Sequence, residues 1–242
     1  LLARRYAHRH GPRKNLDDVT IRERYAQLRA EVPPHVTIVA VTKFHPLEAV
    51  REAIAAGVTD VGENYVQEAR SKLCHPEVLK EVRKHFIGHV QTNKAKAIAA
   101  TFDVVQSVDR ADAAAALGKA AASLGKRLPV LLQINISPSE RFGCIPADAP
   151  QLAQAIRSHD ALDLQGVMAI GPISSDESEI ARAFERAARV LGEIGGTTLS
   201  LGMSGDWRLA IEAGSTMIRV GSTIFGPRPA RPASNSTAKT SP

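Results

Sequence analysis

Aromatic side chains make up only 4% of this 242-residue chain, so any core it builds must be aliphatic. Cysteine occurs twice, as Cys74 and Cys144, in unrelated contexts. That excludes a disulfide framework and a thiolate metal motif, and it fits a reducing compartment. No apolar stretch approaches the roughly 18 residues of a membrane span. The opening Leu-Leu-Ala-Arg-Arg-Tyr-Ala-His lacks the apolar centre of a signal peptide, so a cytoplasmic location without membrane attachment is expected. Walker and dinucleotide glycine fingerprints are missing, and no serine or cysteine stands in a nucleophile arrangement. Acidic residues are missing from both ends: residues 1–14 carry Arg4, Arg5, Arg9, Arg13 and Lys14, and residues 227–242 carry Arg228, Arg231 and Lys239. Those eight positive charges exceed the net charge of +6, which leaves the body between them slightly acidic. Nucleic-acid binding needs basic residues clustered on a folded face, and the basicity here belongs to the ends.

What is present is an alternation. Short apolar runs at 37–43, 60–64, 85–90, 104–108, 129–137, 162–170, 197–204 and 216–221 read as strands, separated by stretches with helical spacing. Leu47, Val50 and Ile54 form one such apolar face; Ile180, Phe184, Ala187, Ala188 and Leu191 form another. Gly57, Gly125, Gly195 and Gly214 punctuate helix ends, and a further helix at about 16–31 precedes the first strand. Eight strands alternating with helices in a chain of this length predict a single-domain (β/α)₈ TIM barrel over residues 15–226. A doubly wound open sheet competes, because periodicity does not show whether the last strand closes on the first. Residues 1–14 read as a flexible basic end. The tail 227–242, rich in Pro, Ser and Thr, cannot bury enough surface to order itself.

Barrel chemistry collects at the C-terminal ends of strands, and that rule gathers distant residues into one mouth. Lys43 ends the first run, Asn64 the second, and His89 to Asn93 follow the third. Asn135, Met168, Ser204 and Arg219-Val-Gly221-Ser222 belong to the later ones. A lysine closing the apolar run Thr37-Ile-Val-Ala-Val-Thr-Lys43 is costly unless it is partnered or used covalently. By position alone it reads as a surface residue that begins a loop. Gly202-Met-Ser-Gly-Asp206 and Gly221-Ser222 offer backbone amides and hydroxyls, which suit an anion if they are more than tight turns. An amine at one strand end, with small residues and a cation at two others, suits an aldehyde that carries a phosphate, and pyridoxal 5′-phosphate is the obvious candidate. Asn64 reads equally as a helix N-cap or as a group aimed at the ligand. His85 and His89 lack acidic or thiol neighbours, so no metal site is expected.

At these residues the chain resembles the pyridoxal phosphate homeostasis protein family, whose fold is like the N-terminal barrel of bacterial alanine racemase. The resemblance spans roughly residues 15–226. It rests on Val39-Ala-Val-Thr-Lys43, Gly62-Glu-Asn-Tyr-Val-Gln-Glu68, His85-Phe-Ile-Gly-His-Val-Gln-Thr-Asn-Lys94, Gly166-Val-Met-Ala-Ile170, Gly202-Met-Ser204 and Ala213 through Gly226. It implies a Schiff base on Lys43, a phosphate held by Ser204, Gly221 and Ser222, and Arg219 against the pyridine nitrogen. A permanent cation there weakens the ring as an electron sink. The chain departs from the family pattern at Gly88-His89-Val90, where Gly-Pro-Leu is usual, and at Ser222, Gly205 and Gly171; none of these touches Lys43.

The resemblance implies a protein that stores, buffers or delivers pyridoxal phosphate within the cell, with apo-enzymes that use the cofactor as recipients. A racemase or decarboxylase on the same barrel is the alternative. Racemization needs a second base opposite the lysine, which barrel racemases receive from an added β-domain and a partner subunit. Only 16 residues follow Gly226, so no catalytic residue is assigned and a monomer is expected.

Overall fold

The computed structural model describes residues 19–138 and 142–227; the basic segment 1–14, the first residues of the expected helix at 16–31, and the tail beyond Pro227 lie outside them. Eight parallel strands close into a barrel in sequence order: β1 (Thr37–Val41), β2 (Asp60–Glu63), β3 (Arg83–Phe86), β4 (Val104–Val108), β5 (Leu128–Asn135), β6 (Leu162–Ile170), β7 (Thr198–Ser200) and β8 (Met217–Val220). The closing pair, β1 on β8, aligns Val39 with Arg219 and Ala40 with Val220. That pairing excludes the open doubly wound sheet. The helices are α1 (Ile21–Glu31), α2 (Leu47–Ala55), α3 (Val66–Leu73), α4 (Pro76–Leu79), α5 (Ala95–Thr101), α6 (Ala111–Ser123), α7 (Ala149–Arg157), α8 (Glu177–Ile194), α9 (Trp207–Glu212) and α10 (Ser222–Phe225).

The expected helical faces pack as their spacing predicts. Val50, Ile180, Phe184 and Ala187 are buried, and Leu47, Ile54, Ala188 and Leu191 pack against them at the edge of the core. The first helix starts later than about residue 16, because Thr20 and Glu23 form a reciprocal capping box that fixes its beginning.

The third strand runs Arg83–Phe86 rather than 85–90. Arg83 and Lys84 do not read as strand residues, yet Lys84 is buried and its ammonium pairs with Asp103 at 3.0 Å. The same carboxylate accepts the Lys84 backbone N–H. Beyond Phe86 the chain bends toward the end of β2, and a Cβ at Gly88 would lie 2.1 Å from the Asn64 carbonyl oxygen. Only glycine permits that approach. The seventh strand is also shorter than 197–204, since the backbone turns at Gly202 (φ +88°). A Cβ there would meet Ala210 Cβ at 2.7 Å.

Candidate functional site

At the end of β1, Thr42 is buried, Lys43 is half-buried and Phe44 is exposed. His45 N–H closes a turn on Thr42 O at 3.1 Å. Phe44 has φ +69°, a left-handed conformation that costs a residue with a Cβ about 1–2 kcal/mol. Its N–H donates to Glu68 Oε1 on α3 at 2.5 Å. Lys72, also on α3 and buried, donates to the carbonyl oxygens of Thr42 (2.7 Å) and His45 (3.1 Å). The same ammonium lies 2.5 Å from Glu63 Oε1 and 2.8 Å from Glu68 Oε1, and the Thr42 hydroxyl donates to Glu63 Oε1 at 2.6 Å. Burial pushes the Glu63 carboxyl above its ordinary range, against the pull of Lys72 and the hydrogen bonds.

Across the mouth, Ser204 Oγ accepts the Gly221 N–H at 3.3 Å and the Thr223 N–H at 3.4 Å. Two backbone donors therefore converge on one small polar point between the β7 and β8 loops. Met203 N–H is tied to Asp206 Oδ1 at 2.6 Å, which fixes the preceding turn. Ser222 is exposed at the start of α10. Gly221 packs on β1, where a Cβ would stand 3.4 Å from Val41 O. This loop and the turn bearing Lys43 are thus neighbours across the β1–β8 seam.

Arg219 lies between these regions, buried on β8. Its guanidinium donates to Ser200 O (2.8 Å), Ser200 Oγ (2.7 Å) and Ala169 O (2.9 Å). Burial brings its pKa down to about 10, with Asp206 acting in the opposite direction, so it stays charged at neutral pH. From Ser200 a polar thread crosses the barrel interior. Ser200 Oγ donates to Gln106 Oε1 (2.7 Å), Gln106 Nε2 donates to His85 Nδ1 (2.9 Å), and His85 Nε2 faces Asp60 Oδ1 at 2.8 Å. An amide nitrogen only donates, so His85 carries its hydrogen on Nε2 and every donor in the thread points from Arg219 toward Asp60. Burial raises the Asp60 carboxyl, but the hydrogen bonds from His85 and Thr59 and the Arg83 charge together take it below its ordinary range.

The remaining half of the mouth, over the ends of β2, β3, β5 and β6, opens into a cavity of about 710 Å³ lined by residues that include Asn64, His89, Gln133 and Ile170. This volume is ordinary for a small-molecule site. Asn64 is not a helix cap, since α3 begins after Tyr65. Among the described residues its buried Oδ1 finds no hydrogen-bond partner, which marks it as an acceptor awaiting a donor. His89 stacks on Phe142 with centroids 3.9 Å apart. Asn135 turns its Oδ1 onto the Ser137 N–H, and Met168 is buried within β6 instead of ending it.

The structure thus sets Gly221 against Val41 at the end of β1, two residues before Lys43, joins Ser204 to Gly221, and buries Arg219 on β8; Asn64 lies on the cavity side. Sequence reasoning missed Glu63, Glu68 and Lys72, and also Asp60, Gln106 and Ser200. One signal was available: a glutamine inside the apolar run Val104-Val-Gln-Ser-Val108 is a buried polar group that must be bonded. Among the described residues no three His, Cys, Asp or Glu side chains are grouped to hold a metal ion, and no helix is long and apolar enough to cross a membrane.

Residues 16–229 match the family of the alanine racemase N-terminal domain. The chain is 38% identical over 227 residues to the pyridoxal phosphate homeostasis protein of Vibrio alginolyticus, covering 89% of this chain and 97% of that one. It is 40% identical over 219 residues to the protein of the same name from Pseudomonas aeruginosa, covering 89% and 95%. Among solved structures, PipY of Synechococcus elongatus with PLP bound superposes with a TM-score of 0.79 at 38% identity, covering 86% of this chain and all of that one.

Proposed function

The chain belongs to the alanine racemase N-terminal domain family and, within it, to the pyridoxal phosphate homeostasis proteins, and from that premise we propose that it holds pyridoxal 5′-phosphate on Lys43 as a reserve for the cell rather than as a catalyst. One observation carries the reading: the turn bearing Lys43 and the amide-lined Gly221 loop are neighbours across the β1–β8 seam. Bound there, pyridoxal phosphate would supply an aldehyde within reach of the Lys43 amine.

Two further features support the fit. The Gly221 and Thr223 N–H groups converge on Ser204 Oγ, so they and the Ser204 and Ser222 hydroxyls form the phosphate cradle. The unpartnered Asn64 Oδ1 gives the ring a polar neighbour. Arg219 is the cation assigned to the ring nitrogen. A guanidinium bonded to Ser200 and Ala169 does not give up a proton and cannot swing away, so it opposes protonation of the ring. This supports holding over chemistry.

The test is borohydride reduction of the loaded protein followed by peptide mapping. The adduct is expected on Lys43, and the loaded protein before reduction should turn over common amino acids far below the median enzyme rate of ~10 s⁻¹. An adduct on another lysine refutes the site assignment, and robust racemization or decarboxylation refutes the holding role.

A further inference from the structure

Lys72 occupies the last turn of α3, where a lysine ordinarily reaches water and the helix C-terminus. Here it is 5% exposed, and its ammonium faces four acceptors: Glu63 and Glu68 carboxylates and the Thr42 and His45 carbonyls. That is one more acceptor than an ammonium has hydrogens. Burying such a group with two carboxylates is rarely the most stable filling for a core, and apolar residues of the same volume often serve as well or better. Its partners indicate another use. The two carbonyls bracket Lys43 and Phe44, and Glu68, which Lys72 pins at 2.8 Å, is the acceptor that holds the Phe44 N–H in its left-handed turn.

We propose that Lys72 is the positioning residue for Lys43: with Glu68 it clamps residues 42–45 from behind and so fixes where the Lys43 side chain leaves the backbone. The inference rests on Lys43 being the point of attachment. The clamp bears chiefly on the covalent bond, because its charged and hydrogen-bonded groups all lie on β2, α3 and the turn 42–45, with the stacking of His45 on Phe225 of α10 at 4.6 Å as its link to the phosphate side. Lys72 touches no part of the cradle and takes no part in the bond; it acts only through the turn.

The test uses the full chain with two ligands, pyridoxal phosphate and pyridoxine phosphate, whose alcohol cannot condense with an amine. In Lys72→Met, the affinity for pyridoxal phosphate should fall by about tenfold or more, while that for pyridoxine phosphate changes by less than about twofold. Hydrogen exchange at the Phe44 amide, read without any ligand, should accelerate. Should Lys72→Met fail to fold, Glu68→Ala serves, since Glu68 is 23% exposed at its side chain; it should give the same exchange result and a smaller loss of the same kind. A purely structural Lys72 would lower stability while leaving the ratio of the two affinities and the Phe44 exchange at their wild-type values, which overturns the proposal. If the wild-type protein attaches pyridoxal phosphate elsewhere, the functional reading fails instead, and the Phe44 exchange rate still decides whether the clamp exists.

Discussion

The two sides of the barrel mouth hold their backbones by opposite means. On the β7–β8 side the polypeptide does the work locally: a glycine takes the left-handed angle at Gly202, and one serine hydroxyl gathers two backbone N–H groups. Among the described residues no full charge bonds to that convergence. On the β1 side a phenylalanine takes the left-handed angle, and the Glu68 carboxylate with the buried Lys72 ammonium restrains it from a helix about 25 residues further along the chain, with Glu63 at the end of β2 as the ammonium's second carboxylate. A phosphate needs several donors at roughly fixed distances, which neutral amides near a turn supply. An amine that must meet one carbon atom needs its backbone held in one place, and a single misplaced turn costs the reaction. The difference follows from what each side has to do.

Removing the amine is the strongest way to separate the sides. Lys43→Ala should leave no cofactor mass on the protein after borohydride and denaturation, yet reversible binding of pyridoxal phosphate should survive and be displaced by inorganic phosphate. Intact mass spectrometry and a competition titration read the two outcomes. If the variant loses all phosphate-dependent binding, the sides do not act independently and the comparison fails.

The same contrast explains what could be read from the chain. Lys43, Ser204, Gly221 and Ser222 each sit in a short local pattern at a strand end, and the barrel rule brings those ends together. Eight strands were legible for a related reason, since each is a short apolar run between helical stretches. Arg83–Phe86 was not, because two charged residues open it and the burial of the second, Lys84, depends on Asp103, 19 residues away. Lys72, Glu63 and Glu68 carry no local pattern that pairs them, since Glu63 ends β2 while Glu68 and Lys72 lie on α3 and meet it only in the folded barrel. Asp60, His85, Gln106 and Ser200 stand one to a strand, on β2, β3, β4 and β7, and only closure makes them a thread. Nonlocal charge and hydrogen bonding remained hidden; local backbone chemistry did not.

On the phosphate side a smaller effect is expected. A hydrogen bond to a charged group contributes about 1.5–3 kcal/mol, so Ser204→Ala or Ser222→Ala should weaken pyridoxal phosphate binding by roughly tenfold or more. Ser204→Ala should cost more, because it also strips the Gly221 and Thr223 N–H groups of the oxygen on which they converge. Pyridoxal, which lacks the phosphate, should bind both variants as it binds the wild type. Equal losses for both ligands would mean that the serines act through folding and that the phosphate lies elsewhere.

The smallest effect tests the strain itself. Phe44→Gly and Phe44→Ala both remove the ring, and with it the contact to Tyr65 at a centroid distance of 6.0 Å, so their difference isolates the backbone. At φ +69° alanine still carries the left-handed cost of about 1–2 kcal/mol, whereas glycine carries none but has about 0.4–1 kcal/mol more chain entropy to lose on folding. The balance leaves Phe44→Gly more stable than Phe44→Ala by about 0.5–1 kcal/mol, measurable by urea denaturation of the two cofactor-free variants. Glycine should also relax the turn, so Phe44→Gly, though the more stable of the two, should hold pyridoxal phosphate no more tightly than Phe44→Ala. If alanine matches glycine in stability, the turn is not strained in solution, and the clamp from α3 has no left-handed angle to hold.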